Sequence, residues 1–369
     1  MDSTKGKINT FQFFSLLFLT RLLTTVTYIP SYMDDVLLSD VVIQTFFRFA
    51  FGIIIMIPMY LLYRRYGELN IIDIVRQRSA KLAKITALIY AGAFFYFTLT
   101  TVARLDVFAG TIVFPESDIN YFLIFVVLIG CYGAYLGFEA LGRSAVLSLA
   151  LVAGAMVFIL ATLIKKMDFL NFTPVFYNGV SSVAKISLDA VGRTIEYSII
   201  AVSLPKVTGN KKNGFFFWIS AQTLVTGIIF FFEVAVMGNF TSTQLFPVHS
   251  LASLAEFSMF GRLDAIITGV WILCAFLKIS LLIYLKVSIL KKEFGEKKPI
   301  YYMLPIGIAL SAINLYVSMS VGRFAMLDSS TVKMSLTLST AFFIPLIVLI
   351  ISGRKKEGEN CKKSVSSQR

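Results

Sequence analysis

The chain has 369 residues, 57% hydrophobic and 15% charged, with a mean hydropathy of +0.79. Soluble domains run about 45–50% apolar and about 25% charged. Its apolar residues fall in blocks of roughly 20 between short polar stretches, the bilayer-spanning pattern, which excludes a soluble enzyme, a disulfide scaffold, a disordered chain and an outer-membrane barrel.

Ten apolar spans are expected, at about 9–29, 41–63, 85–108, 121–139, 145–164, 183–204, 215–237, 263–287, 301–320 and 334–352. The first begins too near the N-terminus, and runs too long, for a cleaved signal peptide. The domains expected are a cytoplasmic N-terminus (1–8), a single ten-helix membrane domain (9–352) and a basic cytoplasmic tail (353–369). The fold class is all-α and polytopic. Read as two halves, the membrane domain gives one repeat over about 9–164 and a second over about 183–352.

The net charge is +13. Assigning alternate loops to one side, beginning with the N-terminus, puts 23 Lys and Arg there against six on the other side. That bias predicts two cytoplasmic termini. It also speaks for anionic lipid as a partner and against nucleic acid.

In chain order, span one carries Arg21, with Thr24, Thr25 and Tyr28 following at i+3, i+4 and i+7 on one helical face. A charge in mid-bilayer costs about 2.5–3.5 kcal/mol on insertion scales, so it needs a partner, a cavity or a function. Glu68–Lys84 reads as an interfacial amphipathic helix on the cytoplasmic side. Span three carries Tyr90, Phe94, Phe97, Thr101 and Arg104 at steps of four and three. Span six carries Asp189, Arg193, Glu196 and Tyr197, with Gly192 a point of unwinding. Phe246–Phe260 reads as an outer-surface helix. Span eight carries Asp264, Trp271 and Lys278 at steps of seven, a stripe that lipid would not accept. Arg48, Arg104, Asp106 and Glu233 lie near outer ends, where snorkelling or interfacial pairing is expected.

No nucleophile–base pair, phosphate loop or metal cluster is legible, so neither catalytic residues nor a cofactor or metal is expected. His249 stands alone, and Cys131, Cys274 and Cys361 make no disulfide framework. Transporters of inverted-repeat type bind solute near the midplane between discontinuous helices, the first of each repeat. Here those are spans one and six, both charged and both carrying helix-breaking Thr or Gly. The candidate ligand-binding residues are therefore Arg21, Thr24, Thr25, Tyr28, Phe94, Phe97, Arg193, Glu196, Tyr197 and Trp271, around a cavity between spans one, three, six and eight. A purely structural ion pair of Arg21 with Glu196 is the alternative. Lys278 is expected to link helices by bonding to span-one carbonyls, in the place of an ion, or to serve as a plain counter-ion.

Five segments carry a family resemblance: Gly137–Ala145 (GFEALGRSA), Phe172–Val180 (FTPVFYNGV), Ile195–Pro205 (IEYSIIAVSLP), Phe246–Phe257 (FPVHSLASLAEF) and Gly261–Ser280 (GRLDAIITGVWILCAFLKIS). Together they resemble the spore permease family, the B subunits (GerAB type) of endospore germinant receptors. The resemblance implies a ten-helix amino acid/polyamine/organocation (LeuT-like) fold with a 5+5 inverted repeat, and a place in the spore inner membrane. It implies A-type and C-type receptor subunits as partners, and a small-molecule germinant, often an amino acid, in a transporter-like pocket. Glu139, Arg143, Glu196, Pro205, Trp271 and Lys278 match the family's pattern. In the family, span one usually has a glycine near its middle, where this chain reads Arg21-Leu-Leu-Thr-Thr. An active secondary transporter of amino acids or related solutes is the alternative function. An ion-conducting or structural subunit with a vestigial pocket is a third.

Overall fold

Backbone inside a bilayer has no water to bond to, so apolar runs of this length have to close their hydrogen bonds internally as helices. The computed structural model describes residues 6–27, 40–67, 69–113, 115, 120–174, 179–256, 263–295 and 297–351. Among them the regular structure is helical apart from two strands of two residues each.

Strand β1 (Ile8–Asn9) leads into α1 (Thr10–Val26). Asn9 caps α1 reciprocally: its side chain accepts from the Gln12 amide, and its own amide donates to the Gln12 side chain. Next come α2 (Asp40–Tyr66), α3 (Ile71–Arg76), α4 (Ala80–Phe108), α5 (Asn120–Leu136) and α6 (Phe138–Leu163). The interfacial helix expected over Glu68–Lys84 is not one element. Its first half is the six-residue α3, which buries Ile71, Ile72, Ile74 and Val75, and its second half is the first turn of α4. A turn expected near 140–144 falls instead on Gly137, whose φ of +91° suits a residue without a Cβ.

The sixth expected span is broken. Helix α7 (Gly179–Gly192) stops, Arg193–Ile195 leave the helical path, and α8 (Glu196–Ser203) resumes. A short turn leads to β2 (Val207–Thr208), which pairs in parallel with β1 and so ties the start of α1 to the end of α8. Then follow α9 (Lys211–Met237), α10 (Pro247–Ser253), α11 (Asp264–Phe294), α12 (Ile300–Ser318), α13 (Val321–Leu327) and α14 (Ser330–Leu338). A π-helical turn at Ser339–Phe343 carries α14 onward to Ile351. Helix α10 is shorter than the expected outer-surface helix, and its Pro247, Val248, His249, Leu251 and Ala252 are buried, packed on α9 and α11. Residues 257–260 of that expectation, and the tail from 353, lie outside the described residues.

Seven helical segments among the described residues are long and apolar enough to cross a membrane, and α1 and α5 are shorter apolar helices. The chain is therefore a multi-pass membrane protein. Helix α11 is the most deeply buried of the long ones and packs on α1, α4, α5 and α6. Three of the cations that the sequence put in loops, Lys211, Lys286 and Lys333, are buried. Lys286 is buried on α11, donates to the Thr98 hydroxyl at 3.2 Å and lies over the Phe95 ring. Arg48, Asp106 and Glu233 are buried as well, so they do not snorkel.

Candidate functional site

The break in the α7–α8 path begins at Gly192, where a Cβ would lie 2.6 Å from Cγ of Met334 on α14, so the Met334 side chain packs directly on the glycine. Beyond the break, Glu196 opens α8, where the helix dipole favours a carboxylate. Its side chain is fully buried, and Lys278 of α11 lies with Nζ 3.0 Å from Oε1. Lys278 also donates to the Thr24 hydroxyl at 2.8 Å and the Thr20 carbonyl at 3.2 Å, both on α1. An ammonium has three donors, and all three are used. Three helices thus meet on one nitrogen.

A second knot closes the other end of α1. Arg104 of α4 grips Asp328 with two bonds, at 2.9 and 2.6 Å, and donates to the Thr27 carbonyl at 2.8 Å. That puts a cation at the C-terminal end of the α1 dipole. Lys333 of α14 bonds the same carboxylate. At the end of α7, Arg193 pairs with Asp189 at 2.7 Å, and Ser330 donates to Asp189 at 2.5 Å.

Between these knots lies a cavity of about 60 Å³. Its walls come from α1, α2, α4, α7, α9, α11 and α14, and from Arg193 in the break. Arg21, Thr24, Thr25, Phe97, Arg193, Trp271 and Lys278, all singled out from the sequence, line it together. Three of the other candidates do not line it. Phe94 is fully buried in packing against Tyr90, and Glu196 sits behind Lys278. Tyr197 borders a separate cleft of about 10 Å³, packs edge-on to Trp218 and reaches towards Gly52. Tyr28 lies outside the described residues. The Arg21–Glu196 pair is not formed: Glu196 takes Lys278, and Arg21 donates from Nε to Gln222 of α9 at 3.3 Å.

Sequence reasoning missed the contribution of α2, α9 and α14, namely Arg48, Phe230 and Lys333, and it missed Arg104 as a cavity wall. A signal for α9 was present. Gln222, Thr226 and Phe230 recur at steps of four through an otherwise apolar helix, and Thr226 meets Thr25 hydroxyl to hydroxyl at 3.3 Å.

The family model described as "Spore germination protein" (Spore_permease) matches residues 7–320. The chain belongs to the spore permease family. Among similar proteins, spore germination protein KB of Bacillus subtilis (strain 168) is 22% identical over 298 residues, 77% of this chain and 80% of that protein. The putative spore germination protein YfkT of the same organism is 24% identical over 330 residues, 85% and 88% of the two chains. A solved structure of a Na⁺-coupled sialic acid symporter, in its substrate-bound outward-open state, superposes with a TM-score of 0.64 at 14% identity, covering 91% of this chain and 79% of that one. At that identity the likeness establishes the fold, which is of the LeuT transporter type. Spore permeases are transporter-like membrane proteins, and this one is not an enzyme.

Proposed function

We propose that the chain is the germinant-sensing membrane subunit of a spore germinant receptor, binding a small nutrient ligand in the cavity beside the α7–α8 break. The observation that carries the reading is the convergence of charged and hydroxyl side chains from five helices, and of Arg193 in the break, on one cavity at a broken helix. That is where transporter folds hold their solutes. On this reading α1, α5 and the broken α7–α8 pair also cross the membrane, which gives ten crossings in two inverted repeats of five. Both termini then face the cytoplasm of the spore inner membrane, where the basic side meets anionic lipid. A-type and C-type receptor subunits are the partners that would receive the signal.

A secondary transporter is the second reading, favoured by the symporter fold. The three-way Lys278 clamp weighs for sensing, because a cation attached to α11 cannot leave with a solute as an exchangeable ion does. Two measurements separate the readings. Deleting the gene should abolish germination with one class of nutrient, and purified protein in liposomes should not accumulate that nutrient. Accumulation against a gradient, with germination intact in the deletion, would favour the transporter.

A further inference from the structure

Six cationic side chains line the cavity: Arg21, Arg48, Arg104, Arg193, Lys278 and Lys333. Among the described residues no carboxylate lines it. The acids stand one layer back, Asp189 on Arg193, Glu196 on Lys278 and Asp328 on both Arg104 and Lys333. Three carboxylates thus pair with four of the six cations, so among the described residues cations outnumber acids around this buried space. Like charges crowded at low dielectric repel strongly, so the arrangement favours an added anion.

Arg21 is the cation best placed to take it. It is 7% exposed and makes no ion pair among the described residues, and its hydrogen bond goes to neutral Gln222 through Nε. A guanidinium has five N–H donors in a planar fork, so four remain for a ligand. Lys278, by contrast, is fully engaged, and Arg104 has three of its five N–H groups bonded. Trp271 adds a second donor: its ring lines the cavity, and its buried Nε1–H has no acceptor among the described residues. The remaining walls carry five threonines, Thr24, Thr25, Thr27, Thr100 and Thr101, beside apolar side chains from Leu23, Phe97, Leu105, Phe230 and Ala275. A water needs about 10–15 Å³ of such space, so the cavity takes on the order of five water-sized groups.

We propose that the ligand of this cavity is a small organic anion, a carboxylate with a short apolar body, whose oxygens are held by the Arg21 fork and whose body rests on Phe97, Phe230 and Trp271. The proposal rests on the sensing reading only for the consequence of binding. A zwitterion or a neutral sugar, having no net charge, would leave the excess unanswered.

The test uses the full chain in nanodiscs, in a Trp218→Phe background so that Trp271 is the fluorophore. Lactate, malonate, L-alanine, glucose and chloride are titrated at pH 7, with calorimetry as an independent readout. Lactate and malonate are expected to saturate the Trp271 signal, and the other three to bind at least 30-fold more weakly. Arg21→Gln should weaken malonate at least 30-fold, and Arg21→Lys, which keeps the charge but loses the fork, by about 10-fold. Equal or tighter binding of L-alanine or glucose would overturn the anion class and leave the sensing reading standing. Chloride as tight as the carboxylates would overturn the organic ligand, and an absence of binding by every probe would overturn the proposal. If Arg21→Gln does not fold, the ranking on the unaltered cavity still decides. Tight carboxylate binding that Arg21→Gln abolishes, with germination unaffected in the same variant, would keep the anion site and remove the sensing role.

Discussion

Lys278 Nζ and Glu196 Oε1 stand 3.0 Å apart at the meeting point of α11, α8 and α1, with 3% and 0% of the two residues exposed. Removing one member of a buried pair strands the other, at a cost of about 3–5 kcal/mol. Lys278→Met should therefore lower the melting temperature strongly. The double variant Lys278→Met, Glu196→Gln should recover most of the loss, since no charge is left stranded. Thermal unfolding of the purified variants checks this. A Lys278→Met protein that melts with the parent would mean the clamp contributes nothing.

The same geometry predicts sodium independence. The ammonium bonds the Thr20 carbonyl and the Thr24 hydroxyl on α1, the kind of oxygen ligands an alkali cation would use. With a lysine on those oxygens, no sodium ion is needed to join α1 to α11. Replacing sodium by choline should leave both melting temperature and ligand response unchanged. A melting temperature that rises with sodium in the parent chain would contradict it.

Much of the site was legible because charge inside apolar runs is so costly that each instance carries information. Arg21, Arg193 and Lys278 were found that way, Trp271 by sharing the stripe of Lys278, and the four line one cavity. What failed was partner assignment. Helical periodicity says which residues share a face of one helix, but not which helices adjoin. Glu196 was therefore matched with the arginines near it in the pattern, when the helix packed beside it is α11. Charges near span ends misled for a related reason. Arg104 and Lys333 sit close to polar loops in sequence, yet Asp328 draws both inward across the fold. The break at Gly192 was readable from a glycine among charges. The packing of Met334 against that glycine was not.

That close approach is itself testable. Gly192→Ala puts a Cβ 2.6 Å from the Met334 side chain, so that side chain or the two helices must shift. Overpacking of this kind costs about 1–3 kcal/mol. Met334→Ala should relieve it, giving a coupling of about 1 kcal/mol or more in a double-mutant cycle. Additive effects in thermal or denaturant unfolding would place the glycine's role elsewhere.

Topology follows from the charge bias. Arg143, with 71% of its side chain exposed, belongs to the basic side, and exposed Thr243 to the opposite side. In a chain with Cys131, Cys274 and Cys361 replaced, Thr243→Cys should react with an impermeant maleimide on intact cells. Arg143→Cys should react only after lysis. The reverse pattern would invert the orientation.

Lys206 gives a pH signature outside the spans. It lies after α8, donates to the Tyr284 hydroxyl at 2.8 Å and the Ser288 hydroxyl at 2.7 Å, and has no carboxylate partner among the described residues. Burial, and then repulsion from Lys292 and Lys291, push its amine down to about 8, below the usual lysine range near 10.5. Below pH 8 the folded and unfolded chains both hold the proton, and the folded state bears the full cost of the charge. Between about pH 8 and 10.5 the folded chain releases the proton while the unfolded chain keeps it, so stability rises with pH. The gain on complete titration is on the order of 1–3 kcal/mol. Lys206→Met removes this dependence along with the two hydrogen bonds, whose loss is a constant offset. The stability of the parent minus that of the variant should therefore climb through the pH 8 to 10.5 window. Melting curves of both proteins at half-unit steps check it, and a flat or falling difference would mean that Lys206 stays charged and well solvated throughout.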